Sequence, residues 1–257
     1  MELAPITLAL LLGAAFVAGF IDAIAGGGGL ITVPALLAAG LPPHLMLGTN
    51  KGQAVWGSGA AMVRFARAGM LDRDRAPWTF AAGFVGSTCG AALVLILSPE
   101  LLRPIVLALL IGVALLLTFR PPLTPTPRAH TREKARAMLM ALALVLGAYD
   151  GFFGPGTGTF LIIGAVLLLG IPLANASAEA KVVNFASNLA AFLVFAWKGV
   201  VVWHIALPMA AAQFAGAWSG SHVAIRGGDR LVRWVVLAVV LALSLKLGWD
   251  LAHPSPG

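Results

Sequence analysis

The chain says nearly everything twice. Displaced by 130 positions, Gly170 falls on Gly40, Pro172 on Pro42, Lys181 on Lys51, Phe195 on Phe65 and Gly199 on Gly69. The match continues with Phe214 on Phe84, Gly216 on Gly86, Gly220 on Gly90 and Arg233 on Arg103. Nearer the start the displacement is 128, where Gly147 meets Gly19, Asp150 meets Asp22, Gly154 meets Gly26 and Gly156 meets Gly28. The second half therefore carries two extra residues after its glycine cluster. Such a chain folds one local pattern twice, which restricts it to architectures built from two related halves.

Composition identifies the solvent. Apolar residues make up 60% of the chain and charged residues 11%, with a mean hydropathy of +0.94. A soluble domain carries roughly 25% charged residues, so this chain is expected to sit in lipid. Cys89 has no second cysteine to pair with and reads as a small packing residue. Residues 1–5 lack the basic start of a signal peptide, so 5–25 is expected to be a retained span. The net charge of +7 does not call for nucleic acid, since Lys and Arg gather in loops on one side of a membrane.

A span needs about 20 apolar residues. Residues 5–25 qualify, and a glycine run, Gly26-Gly27-Gly28-Gly29, comes directly after them. Residues 30–39 form a short apolar piece, too short to cross as a helix, ahead of longer spans at 44–68, 77–97 and 101–119. The second half repeats this with 137–153, a break at 154–158, a short piece at 159–169, and spans at 174–197, 203–224 and 229–250. Residues 120–136 are the one long polar stretch. The expected organisation is a single membrane domain with repeat 1 at 1–120, a linker at 121–136 and repeat 2 at 137–257.

Basic residues set the orientation. Arg120, Arg128, Arg132, Lys134 and Arg136 place the linker in the cytoplasm. Loop 69–76, flanked by Arg64, Arg67, Arg73 and Arg75, then falls on the same side, as does loop 225–230 with Arg226, Arg230 and Arg233. Matching loops of the two halves therefore face opposite sides, and the repeats are inverted. Both termini are expected outside. Trp197, Trp203, Trp234 and Trp249 sit near span ends and suit the aromatic belt.

Three matched features carry candidate chemistry. The first is the pair of glycine breaks. Non-helical backbone at membrane depth survives only in a cavity or buried in protein. A new helix starting there exposes free N–H groups to which an anion can come close, with Gly28, Gly29, Gly156, Thr157 and Gly158 as the candidates. Close helix crossing or a plain turn is the other reading. Gly86-x-x-x-Gly90 and Gly216-x-x-x-Gly220 are read as helix-packing faces.

The second feature is the lysine pair, Lys51 and Lys181. An intramembrane lysine costs roughly 2.5–3.5 kcal/mol to insert and is functional by default. Ser177, Lys181, Asn184 and Asn188 share one helix face by their spacing. Lys51 and Ser58 occupy the matching face, with Asn50 and Gln53 beside it. Ammonium and amide donors near helix N-termini suit an anion. Alternatively each lysine snorkels or pairs with a carboxylate, and Glu179 is a candidate partner of Lys181.

The third feature is Asp22 and Asp150, which end the first span of each half. They are candidates for proton coupling, for helix capping, or for pairing with the lysines. Two membrane aspartates also suggest a protease, but the Gly-x-Gly-Asp half of such a site is missing and the repeat already explains the pair. No histidine spacing suggests a metal site, no phosphate loop of the P-loop type is present, and no cofactor is expected.

Four strings now carry a resemblance: residues 21–34 and 48–51 in the first half, 149–158 and 180–188 in the second. Together they resemble the TauE/SafE family of sulfite and organosulfur-anion transporters, and the likeness extends over nearly the whole chain. The resemblance implies a multi-pass permease of the bacterial inner membrane. Its cargo would be a small sulfur oxyanion, sulfite or a small organosulfonate.

The expectation is an all-α, polytopic membrane protein of two inverted repeats, working as a secondary transporter at their interface. Its partners are a small anionic substrate and membrane lipids, not nucleic acid. An anion channel using the same cavity is the alternative, and an intramembrane enzyme or scaffold the more distant one.

Overall fold

The computed structural model describes residues 4–118 and 130–252, with side chains left out at 114, 117, 118 and from 228 onward. The described residues form helices and no strand. In order these are α1 (Pro5–Ala25), α2 (Gly29–Ala38), α3 (Pro43–Arg67), α4 (Ala76–Ile96), α5 (Pro99–Thr118), α6 (Arg132–Phe152), α7 (Thr157–Leu169), α8 (Leu173–Trp197) and α9 (Trp203–Ala252). Helices α1, α4, α6 and α8 are each long and apolar enough to cross a membrane. Large apolar side chains such as Ile6, Leu10, Ile96 and Leu207 are exposed, as a lipid-facing surface requires.

Local chemistry sets the helix ends. Pro5, Pro43 and Pro77 occupy first-turn positions, where a missing N–H costs nothing. Helices α3 and α8 end in the same Schellman arrangement. Met70 N–H donates to Phe65 O and Gly69 N–H to Ala66 O, and Val200 N–H to Phe195 O and Gly199 N–H to Ala196 O. Most spans agree with the sequence to within two residues. Helix α6 starts five residues early, capped by Thr131 Oγ1, which accepts from Lys134 N–H. Residues 119–129 of the expected linker lie outside the described residues.

One expectation fails. Residues 225–230, expected as a loop between two spans, are helical, and α9 runs 50 residues without interruption. Gly227 and Gly228 lie within this stretch. Glycine lowers helix stability by about 1 kcal/mol against alanine but does not forbid helix, and no proline stands nearby to stop it. At 1.5 Å per residue α9 is about 75 Å long, more than twice the hydrocarbon thickness. Trp234 and Trp249 fall among the side chains left undescribed.

The halves are interlocked. Helix α1 packs on α9 and α6 on α4, so the first helix of each half lies against a helix of the other. Gly86 and Gly90 face Leu144 O and Ala148 O of α6, while Gly216 and Gly220 face Phe16 O and Phe20 O of α1. The two sets are related by the sequence displacements. A β-carbon at any of the four would stand well under 3.0 Å from backbone, so these glycines are packing faces. Gly90→Ala and Gly216→Ala are expected to destabilise the protein by about 1–3 kcal/mol through overpacking. Gly112→Ala, where an added methyl meets nothing within 4 Å, should be neutral or stabilising. Thermal unfolding in detergent checks this.

Two apolar clusters occupy opposite ends. One gathers Leu36, Leu41, Met46, Leu47, Val94, Leu102, Phe195 and Ile205. The other gathers Ile24, Phe65, Leu139, Ile162, Val166, Leu173 and Val183. Matched Phe65 and Phe195 therefore lie in different clusters. Along α3 the order is first cluster, polar stretch 50–58, second cluster; along α8 it is reversed. The loops sort the same way. Asp72 N–H donates to Glu179 Oε1 at 3.2 Å, and Arg132 pairs with Asp74 at 3.5 Å. At the other end Val202 N–H donates to Thr49 Oγ1 at 3.1 Å. In the α3–α4 loop, burial pushes the Asp72 carboxyl up. Bonds from Arg75, at 2.7 and 2.6 Å, outweigh it and leave its pKa below the ordinary value.

Candidate functional site

The two breaks meet. Gly26 ends α1 with φ 74°, and a β-carbon there would overlap the backbone of Gly158 and Thr159 at the start of α7. Side chains hold this junction: Thr159 Oγ1 donates to Ala25 O at 3.1 Å, and Ser177 Oγ to Ile24 O at 2.9 Å. Asp22 Oδ1 accepts from Gly28 N–H at 3.2 Å, fixing the start of α2. In the second break Tyr149 Oη donates to Pro155 O at 2.6 Å and Thr157 Oγ1 to Gly154 O at 2.8 Å.

Both lysines are paired, each with the aspartate of the other half. Lys51 Nζ lies 2.9 Å from Asp150 Oδ1, and the two side chains are 2% and 5% exposed. Lys181 Nζ lies 3.1 Å from Asp22 Oδ2 and also donates to the Asp22 carbonyl. Ser187 Oγ donates to Asp150 Oδ2. Of the readings open for Asp22 and Asp150, pairing with the lysines is the arrangement present, and Asp22 also caps α2. Glu179 is not the partner of Lys181; it turns instead to the Asp72 amide and to Arg75, 4.0 Å away. Residues two apart on a helix do not share a face.

A polar network joins the pairs. Lys51 Nζ donates to Asn188 Oδ1 at 3.0 Å, and Asn188 Nδ2 to Ser58 Oγ at 3.5 Å. Thr32 Oγ1 and Gln53 Nε2 donate to Asn50 Oδ1 at 2.6 and 3.1 Å. These groups gather around a cavity of about 30 Å³, room for about two waters. It lies between α1, α2, α3, α6, α7, α8 and α9, with an apolar cluster toward each end of α3 and α8.

Of the residues singled out in the sequence, Asp22, Gly28, Gly29, Asn50, Lys51, Asp150, Thr157, Gly158, Asn184 and Asn188 line this cavity. Three stand apart. Lys181 is fully buried behind Asp22. Gln53 holds Asn50 from behind. Gly156 faces Val113 and Phe160. The lining also includes Gly27 and Gly154 of the two breaks, and Thr32, Ala54 and Gln213, which were not anticipated. Gln213 is the notable one. It is buried on α9 against Gly19 and Gly57, and its Oε1 has no partner within the protein. Unpartnered buried oxygens also occur on Asn184 and Gln53. Among the described residues, no cluster of His, Cys, Asp and Glu suits a metal.

The family model described as sulfite exporter TauE/SafE matches residues 11–247. The chain belongs to that family. Related proteins match it nearly end to end. A probable membrane transporter protein, ORF9, of Sinorhizobium sp is 41% identical over 248 residues, covering 96% of this chain and 94% of its own. The probable membrane transporter protein YfcA of Escherichia coli K12 is 40% identical, covering 96% and 91%. A probable membrane transporter protein of Haemophilus influenzae is 38% identical, covering 95% of each. No solved structure matches the chain. This TauE/SafE member is a membrane transporter and not an enzyme.

Proposed function

We propose that the chain is a secondary carrier of small sulfur oxyanions, sulfite or small organosulfonates, across the bacterial inner membrane. In this reading 1–120 and 137–257 are inverted repeats joined by a cytoplasmic linker at 121–136. Rocking of one against the other opens the cavity to each side in turn. The reading is supported by the opposite order of apolar clusters along α3 and α8 and by the matched glycine contacts. The substrate class draws on the family description.

The observation that carries the site assignment is the convergence of α2, α7 and Lys51 at one cavity, with Lys181 paired to Asp22 of its wall. The starts of α2 and α7 present backbone N–H groups and positive dipole ends to an oxyanion. Lys51 and Lys181 supply charge, while Asn50, Gln53, Asn184 and Asn188 orient it through hydrogen bonds. Asp22 and Asp150 carry protons for coupling. The apolar clusters toward both ends of α3 and α8 favour a carrier over a channel.

The test is uptake of labelled sulfite and methanesulfonate into proteoliposomes, with phosphate and chloride as controls. The carrier reading predicts saturable, counterflow-stimulated flux of the sulfur anions. Arg103→Ala, at an exposed residue that does not line the cavity, should leave that flux intact while Lys51→Ala removes it. Unsaturable flux would favour a channel, and no sulfur-anion flux would remove the substrate assignment.

A further inference from the structure

We propose that transport is electroneutral, with an anion crossing alongside one proton for each of its negative charges, up to two. Asp22 and Asp150 each take one proton, and the empty site returns with both ion pairs closed. This rests on the anion-carrier reading above and specifies what must travel with the anion.

Charge balance demands the protons. Four formal charges meet at the site and cancel: Lys51 against Asp150 and Lys181 against Asp22. Neither ammonium is free. Lys51 Nζ is held by Asp150 Oδ1 and Asn188 Oδ1, and Lys181 Nζ by Asp22 through its carboxylate and its carbonyl. An entering anion can gain a lysine only by taking it from an aspartate. That would leave a carboxylate and a substrate anion side by side in a buried site, where like charges strongly disfavour one another. Protonation relieves this. A hydronium O–H bond breaks on the entry side as the aspartate O–H bond forms, and the released lysine becomes the counter-charge of the anion. On the far side the anion leaves, the proton returns to water, and the carboxylate recaptures its ammonium.

The limit of two comes from the inventory of charges. The groups facing the aspartates are Lys51 from α3, Lys181 from α8, and the two aspartates themselves from α1 and α6. Helices α2 and α7 offer backbone and hydroxyls, and α9 offers the neutral Gln213. Glu179 is engaged by Asp72 and Arg75, and Arg64 by His222 and the Trp218 ring. Among the described residues no other charged side chain lines the cavity. Cross-half pairing also couples charge to movement, because each ion pair bridges the halves proposed to rock.

The test uses two permanently charged probes, methanesulfonate with one charge and methanedisulfonate with two. Purified protein is placed in liposomes holding a pH-sensitive dye, with the membrane potential clamped by potassium and valinomycin. The expected result is one proton per methanesulfonate and two per methanedisulfonate, at rates indifferent to the potential. Asp150→Asn should lower the count for methanedisulfonate from two to one. Should that variant not fold, the wild-type ratios decide alone. Anion flux without protons, or flux driven by the potential, overturns electroneutral coupling and leaves the carrier reading standing. Absence of flux for both probes overturns the two together.

Discussion

Lys51→Met is expected to lose transport and about 3–5 kcal/mol of stability, and Lys51→Met/Asp150→Asn to recover most of the stability but none of the transport. The single change leaves Asp150 ionised and buried without its counter-charge, and removing one member of a buried pair costs about that much. Replacing both members with neutral groups of similar size removes the desolvation penalty along with the attraction. An amide at position 150 keeps an oxygen that can accept from Ser187 Oγ, as Asp150 Oδ2 does. Thermal unfolding in detergent and flux in proteoliposomes separate the two effects. A double variant as unstable as the single would mean that Lys51 and Asp150 do not act as one energetic unit. One that transports normally would remove both from the site.

Gly26→Ala should be nearly as damaging, for a different reason. Its φ of 74° and ψ of 172° form a conformation essentially reserved for glycine, costing an L-residue about 1–3 kcal/mol. A β-carbon there also collides with Gly158 and Thr159, which are backbone and cannot swing away. Overpacking adds about 1–3 kcal/mol. The same methyl would push the α2 and α7 starts apart and misplace the N–H groups proposed to hold the anion. Gly13→Ala, on the same helix with nothing within 4 Å, is the matched control and should be neutral or stabilising. If the two variants unfold and transport alike, the junction of the two breaks is not the keystone inferred from it.

Much of this was legible in the chain, and the parts that were not have physical reasons. Span ends were readable because Pro5, Pro43, Gly69 and Gly199 mark them chemically. The matched lysines, aspartates and glycine breaks were readable because duplication flagged them. Which aspartate meets which lysine was not, since a repeat displays the same pattern in each half and is silent on the exchange between halves. Lys181 and Asp22 are 159 residues apart and meet only through the interlocking of α1 with α8 and α9.

Gln213 escaped for a related reason. Its repeat-mate is Gly83, so duplication passed over it, and the available signal was a lone glutamine within the apolar stretch 205–218. Glu179 misled by proximity in sequence, although a spacing of two on a helix argues against a shared face. The expected loop at 225–230 is helix instead, and its two glycines weaken a helix without ending it.

Alternating access requires that one closed cavity between the halves open to each side in turn. Ala54, on the cavity wall, offers the most direct test once exposed Cys89 is replaced by serine. Ala54→Cys would be challenged with a membrane-impermeant thiol reagent from one face or the other, with and without substrate anion. Labelling is expected from both faces, slowed from each by methanesulfonate or sulfite. Labelling from one face alone under every condition, or labelling that substrate does not change, would contradict a carrier that opens this cavity to both sides.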